Sequence, residues 1–457
     1  MSIEAPLTKM ETRAGRGLLG NKIFMRLYTA YAAAEFGSWF DSLAIQVLVA
    51  YRWQAGPLLL ALIPVSLALP GIVLGSVAGV VADRLNKLKL MRLCDLLTAV
   101  LTAAVLLAPG IFWLLPLLAL RSAVSALNVP AQQSLTRRIV REDQLLQAAS
   151  LNGFVTQGSK IAGPLLGGVA LAALSPAWCI ALNACMRLFS YVLLLSIKNA
   201  DANESTGAYI DERMKAGDQA TMDAEEQAPG GKPLSARAMW KEGWSFIFGS
   251  RLLRNTMLFG LLGALSIQMV DFQFASLFRT LAPDKEYLLG WLVSAAGAGA
   301  VLTIAAMNKI GRGAGYGSRL GGGYALIGAA IGGLGLLPIG ASPLPVLLLG
   351  LLMGAGNGMF MIAFNYCLQK ETPPHMTGRV FGIQSMVLSV VMIVAPLLGG
   401  ALVDLAGPRR IFAGFGLVIA LIGAAGMLLG RLLWPAKKME NRATAASFNA
   451  SSQNDYK

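Results

Sequence analysis

Ala162-Gly-Pro-Leu-Leu-Gly-Gly168 returns as Val394-Ala-Pro-Leu-Leu-Gly-Gly400, 232 residues further along a chain of 457. Each copy lies in an apolar run, and comparable runs continue on both sides of it. Leu58–Val81, Leu344–Met361 and Ile411–Leu429 are examples. At a rise of about 1.5 Å per residue, some twenty residues cross a hydrocarbon core of about 30 Å. Working outward from the two copies gives approximate spans at 22–50, 58–82, 90–108, 111–134, 147–173 and 177–197. A second set follows at 254–277, 287–307, 320–340, 344–369, 380–403 and 411–430. The repeated element falls in the fifth span of each set. The expectation is an all-α membrane protein of about twelve transmembrane helices, arranged as two six-helix bundles related by a parallel repeat.

Composition agrees with that reading. Hydrophobic residues make up 55% of the chain and charged residues 14%, against roughly a quarter charged in soluble proteins, and the mean hydropathy is +0.60. A net charge of +14 would suit nucleic acid if it formed one patch. Instead, with the N-terminus inside, 30 of the 38 Lys and Arg fall in cytoplasmic segments, 5 in outer loops (Arg52, Arg279, Lys285, Arg409, Arg410) and 3 within spans. That asymmetry orients a membrane protein and removes the case for nucleic acid. Both termini are then cytoplasmic, residues 1–21 and 431–457, flanking bundles at 22–197 and 254–430. The linker, 198–253, opens with an acidic stretch, 201–232, of disorder-prone composition. It ends with Trp240, Trp244, Phe246 and Phe248 among charges, which suits an amphipathic helix at the inner membrane surface. Four cysteines show no metal or disulfide spacing, no cofactor is expected, and no cleavable leader is evident before residue 22.

Gly79-Val-Val-Ala-Asp83-Arg84-Leu-Asn-Lys87-Leu-Lys89 follows the second span. It resembles the Gly-x-x-x-Asp-Arg-x-x-Arg/Lys signature of the major facilitator superfamily, on the face where that signature belongs. Glycine admits close helix approach, and the acid with its cations makes a clasp that opens and re-forms. Gly163, Pro164, Gly167 and Gly168 resemble the core of that family's antiporter motif, Gly-Pro-x-x-Gly-Gly, which in the family is linked with export against protons; a proline kink beside small residues is its mechanical basis. Arg121 stands where the family's fourth-helix arginine stands, without the Gln-Gly that usually follows. Asn128-Val-Pro-Ala-Gln-Gln-Ser-Leu, Glu242-Gly-Trp-Ser-Phe-Ile and Gly378-Arg-Val-Phe-Gly-Ile383 are similar to the branch holding macrolide-efflux proteins and the enterobactin exporter. The resemblance covers roughly residues 22–430.

Ionisable groups at membrane depth are costly and therefore functional candidates. By helical rise, Glu35, Arg121, Lys160 and Arg187 lie near the midplane, with Asp41 about 9 Å nearer the outside than Glu35 and roughly 120° round the helix. Glu35, Arg121 and Lys160 are expected to share the central cavity, because the first and fourth helices line it in the family. Glu35 is the first choice of proton carrier and Asp41 the second. Arg187 reads as a static bridge, and Asp95 as a partner of Lys87 and Arg92. In the second half, Gln268, Asp271, Asn357 and Asn365 are candidate substrate contacts, set among Met353, Met359, Met361 and Phe364. His375, the single histidine, falls in an inner loop. No P-loop, nucleophile elbow or metal-spaced His and Cys supports an enzyme. The resulting expectation is a monomeric secondary transporter of the bacterial inner membrane. It would export a small amphiphilic molecule (a drug, siderophore or other metabolite) against protons. Uptake by symport, a sensor and a membrane enzyme are the alternatives.

Overall fold

A computed structural model describes residues 18–197, 236–309 and 315–434 of the chain. The acidic stretch 201–232 and both terminal segments lie outside the described residues. Twelve long helices run through the rest: α1 (Lys22–Val47), α2 (Pro57–Arg84), α3 (Lys87–Val105), α4 (Ile111–Ile139), α5 (Leu145–Ala173) and α6 (Pro176–Leu195). After a shorter helix, α7 (Ala236–Gly249), come α8 (Arg251–Asp271) with the short α9 (Phe274–Leu281), α10 (Tyr287–Lys309), α11 (Tyr316–Leu336), α12 (Pro343–Glu371), α13 (Pro374–Ala406) and α14 (Pro408–Leu428). A last turn, α15, covers Gly430–Leu433.

Eight of the twelve are long and apolar enough to cross a membrane on composition alone. The other four are α1, α3, α5 and α11. The first two carry charges within the helix, such as Glu35, Asp41, Lys89 and Asp95. Helix is the only sensible state for such segments in lipid, since each backbone N–H and C=O must find its partner inside the segment.

Side chains fix several helix starts. Asn21 caps α1, accepting from the amides of Ile23 (3.0 Å) and Phe24 (3.2 Å), and its own Nδ2 donates to the Ile139 carbonyl at the end of α4. Asn86 caps α3 through the Lys89 amide. Asparagine at this position satisfies amides that have no intrahelical acceptor. The link from α2 to α3 is therefore only Leu85-Asn86. His375 lies in the first turn of α13 rather than in a loop: Pro373 and Pro374 pre-set the dihedrals on which that helix starts.

The chain forms two compact units. The first contains α1–α6 together with Phe272–Ser294; the second contains α7, α8 and everything from Ala295 onward. Pairing repeats between the halves. In the first, α1 packs on α5 and α6, and α3 packs on α4 and α6; in the second, α8 packs on α13 and α14, and α11 packs on α12 and α14. Each pair in the second half is the sixth-helix-on equivalent of a pair in the first. The repeated glycine element sits on one of these shared contacts. A Cβ on Gly167 of α5 would lie 2.6 Å from the Trp39 carbonyl of α1, and Gly399 of α13 meets the Met269 backbone of α8 in the same way. Only glycine lets the two backbones come that close.

The seventh span is not one rod. Helix α8 stops at Asp271, and α9 begins three residues later at Phe274. From there the chain packs on the first six helices. Arg279 donates to the carbonyls of Ala50 and Ala55, both at 2.8 Å, and Gln273 donates to the Pro57 carbonyl at 3.0 Å. Those carbonyls are available because α1 ends in a π-type turn, Leu48–Arg52, and Gln54 follows at φ 51°. On α5, a Cβ at Gly168 would come within 2.5 Å of the Gly290 carbonyl, so the last glycine of the antiporter-like element receives the start of α10.

Candidate functional site

The first unit buries two separate acid–arginine pairs. Asp41 on α1 is fully buried and bound to Arg121 of α4, whose guanidinium also approaches the Thr102 hydroxyl of α3 at 3.4 Å. The second Asp41 oxygen has no hydrogen-bond partner among the described residues. Asp95 on α3, also buried, accepts from Asn128 of α4 (3.1 Å) and Ser190 of α6 (2.5 Å), and lies 3.7 Å from the Arg187 guanidinium of α6. Unpaired charges are not tolerated at such burial, so both acids arrive with their cations.

Beside the second pair is a cavity of about 70 Å³, lined by Tyr31, Glu35, Asp95, Asn128, Gln132 and Arg187 among others. That is room for a few waters. Glu35 stands on its wall, half-buried and without an ion pair among the described residues. Tyr31 shares that wall, and its hydroxyl is 2.7 Å from that of Thr156 on α5. Arg187 stands on the same cavity wall as Glu35 and Asp95. The second pair and the lone carboxyl therefore face one cavity, walled by α1, α3, α4 and α6.

Several expected neighbours are arranged differently. Arg121 takes Asp41 rather than Glu35, because the 120° between the two acids turns them to different helix neighbours. Lys160 is exposed on α5 and forms no ion pair among the described residues. Asp95 binds Arg187, Asn128 and Ser190 rather than Lys87 and Arg92. Arg92 instead donates to the Leu194 and Ile197 carbonyls at the end of α6, and Lys87 is buried at the start of α3. The backbone of Gly79, Asp83 and Arg84 completes the last turns of α2, while their side chains lie outside the described residues. Gly163 receives the Trp39 ring, and Pro164 lies inside α5. In the second unit, Gln268 is half-buried, Asp271 and Asn357 are exposed, and Asn365 donates to the Met361 carbonyl one turn back. These four do not contact one another among the described interactions.

What sequence reasoning missed is the part played by Asp95 and Arg187 in the cavity wall. A signal was present: Ser125, Asn128 and Gln132 follow helical spacing on α4, and all three line that cavity. Also missed was an aromatic column in the second unit. It runs from Trp434 through Phe259, Tyr324 and Phe360 to Phe364, with centroids 4.3–5.4 Å apart.

The sequence matches the Major Facilitator Superfamily over residues 23–396 and 289–450. The chain belongs to that superfamily. It is a membrane-embedded transporter of small molecules, not an enzyme. It is 29% identical over 404 residues to YfiS of Bacillus subtilis, an uncharacterized MFS-type transporter, covering 88% of this chain and 92% of that one. It is 24% identical over 415 residues to the multidrug efflux pump Tap of Mycolicibacterium fortuitum, covering 84% and 91%. Among solved structures, the nucleoside transporter NupG superposes with a TM-score of 0.63 at 12% identity, covering 90% of this chain and 99% of its own. A bacterial homolog of the human lysosomal transporter Spinster gives 0.61 at 13%, covering 91% and 98%. Those two likenesses establish the fold.

Proposed function

We propose that this transporter exports a small amphiphilic molecule in exchange for protons, across the bacterial inner membrane and with both termini in the cytoplasm. The observation that carries this reading is the unequal treatment of two carboxylates on one helix. Asp41 is sealed against Arg121, whereas Glu35 stands on a cavity wall that also carries Tyr31 and Arg187. A carboxyl's proton affinity changes with hydration and with the distance of a cation. Glu35 has both variables available to it, and Asp41 has neither while it stays closed on Arg121. Glu35 is therefore the proton carrier, and the Asp41–Arg121 pair is the fixed charge against which it works. Alternating access exchanges the water that reaches Glu35 from one side of the membrane to the other.

Export rather than uptake is supported by the glycine element of α5 and by the relatives that are efflux pumps, Tap among them. The sequence likeness to macrolide-efflux proteins and to the enterobactin exporter supports a drug or siderophore as cargo, and the buried Arg121 and Arg187 favour one with anionic character.

Everted vesicles test this directly, with candidate metabolites and with or without an imposed proton gradient. Wild-type vesicles accumulate the cargo only with the gradient. Glu35→Gln removes the dependence on the gradient while leaving downhill exchange measurable. Gradient-driven accumulation that survives Glu35→Gln removes Glu35 as the carrier.

A further inference from the structure

Two stretches that the transport chemistry leaves unused meet in the second unit. Glu242-Gly-Trp-Ser-Phe-Ile lies in α7, and Gly378-Arg-Val-Phe-Gly-Ile383 opens α13. The Glu242 carboxylate forms an ion pair with the Arg379 guanidinium at 2.7 Å, with both side chains partly exposed. A Cβ on Gly243 would stand 2.9 Å from the end of the Ile383 side chain and 3.4 Å from the Arg379 Cβ, so α7 packs closely on the side chains of α13 here. Ile247, one turn on, is buried on the same line. One side of α7 is thus fastened to α13 by an ion pair and side-chain packing.

The remaining surface of α7 is aromatic, with Lys241 on the helix and Arg251 and Arg254 at the start of α8 beyond it. Trp240, Trp244 and Phe248 follow one another at helical spacing, with centroids 5.8 and 5.5 Å apart. Trp240 is 51% exposed and Phe248 53%. Lys241 and Arg251 are exposed next to them, and Arg254 is held back by its bond to the Phe248 carbonyl. Aromatic rings with an apolar body and a polar edge, flanked by cations, match the headgroup layer of a bilayer. In a membrane protein whose described helix α7 is joined to a span by one residue, Ser250, that layer is the surface within reach.

We propose that α7 is a docking element for anionic lipid headgroups, and that the Glu242–Arg379 pair couples its seating to the start of α13. Headgroup phosphates take Lys241 and Arg251 while the aromatic ladder enters the interface. The ion pair then makes α13 follow α7. Because the pair is half-exposed, it can open and close as α13 moves. This inference does not depend on the cargo, the direction or the coupling of transport.

Amide hydrogen exchange on the full-length protein tests it. The protein is placed in nanodiscs of phosphatidylcholine alone or with about a third phosphatidylglycerol, and exchange is followed across α7 and across Met376–Ile383. Exchange in α7 slows in the anionic discs, by about fivefold for each cation engaged. Lys241→Gln with Arg251→Gln abolishes that increment, and Trp240→Ala with Phe248→Ala removes protection in both disc types. Glu242→Arg leaves the α7 response but disconnects Met376–Ile383 from it, and adding Arg379→Glu reconnects them. Equal α7 exchange in the two disc types overturns the lipid assignment. Protection that instead rises with protein concentration in detergent assigns the face to a second copy and overturns it too. If Glu242→Arg alone and the double exchange behave alike, the coupling through Arg379 is wrong.

Discussion

Asp41 and Glu35 are six residues apart on one helix and live in different electrostatic surroundings. Asp41 has traded water for one guanidinium and keeps one oxygen unpartnered among the described residues; Glu35 stands on the wall of a small polar cavity. Breaking a buried pair by neutralising one member strands the other, at a cost of about 3–5 kcal/mol. Asp41→Asn is therefore expected to lower the thermal midpoint of the purified protein well below that of Glu35→Gln, which strands no partner. A change no larger than that of Glu35→Gln would mean that Arg121 finds another acceptor. Depth arithmetic on the sequence set Glu35, Arg121 and Arg187 at similar heights, and the structure has each of them within a first-half helix. It did not give their partners, because rise fixes height while the facing neighbour depends on how each helix is rotated in its bundle. Lys160 illustrates the limit: its height along α5 suited a cluster, but it forms no ion pair among the described residues.

At the level of the element, the glycines of α5 and α13 were legible in sequence as a repeat, but their task was not. Each sets a backbone against the first helix of its own half, Trp39 on one side and Met269 on the other. Adding even one methyl at such a contact forces main chain apart, a cost of about 1–3 kcal/mol. Gly399→Ala is expected to reduce folded yield and thermal midpoint, while Gly382→Ala in the same helix, where a Cβ meets nothing within 4 Å, leaves both unchanged. The break of the seventh span at Phe272-Gln273 carried no such sequence signal. Neither glycine nor proline marks it, and the run from Asn255 to Leu277 reads as continuous apolar helix. What stops α8 there is tertiary: Gln273 spends its amide on the Pro57 carbonyl rather than on solvent.

For the whole molecule, the twelve-helix plan and its repeat followed from hydropathy, charge placement and one seven-residue echo. Those are properties of the chain in lipid, where length and apolarity decide what can span. The division into bundles at 22–197 and 254–430 was read from the position of the polar linker, and such a reading sees only order along the chain. Contacts decide otherwise for Phe272–Ser294, which lies beyond the linker yet packs with α1–α6. A consequence follows for anyone who cuts the gene within codons 201–232 to express the halves apart. The leading fragment would display the carbonyls of Ala50, Ala55 and Pro57 and the bare backbone at Gly168, while the trailing fragment would carry the piece that covers them. Neither fragment alone is then a finished domain. The two should copurify through one affinity tag when produced together, and replacing Arg279 with alanine in the trailing fragment should weaken their recovery as a pair.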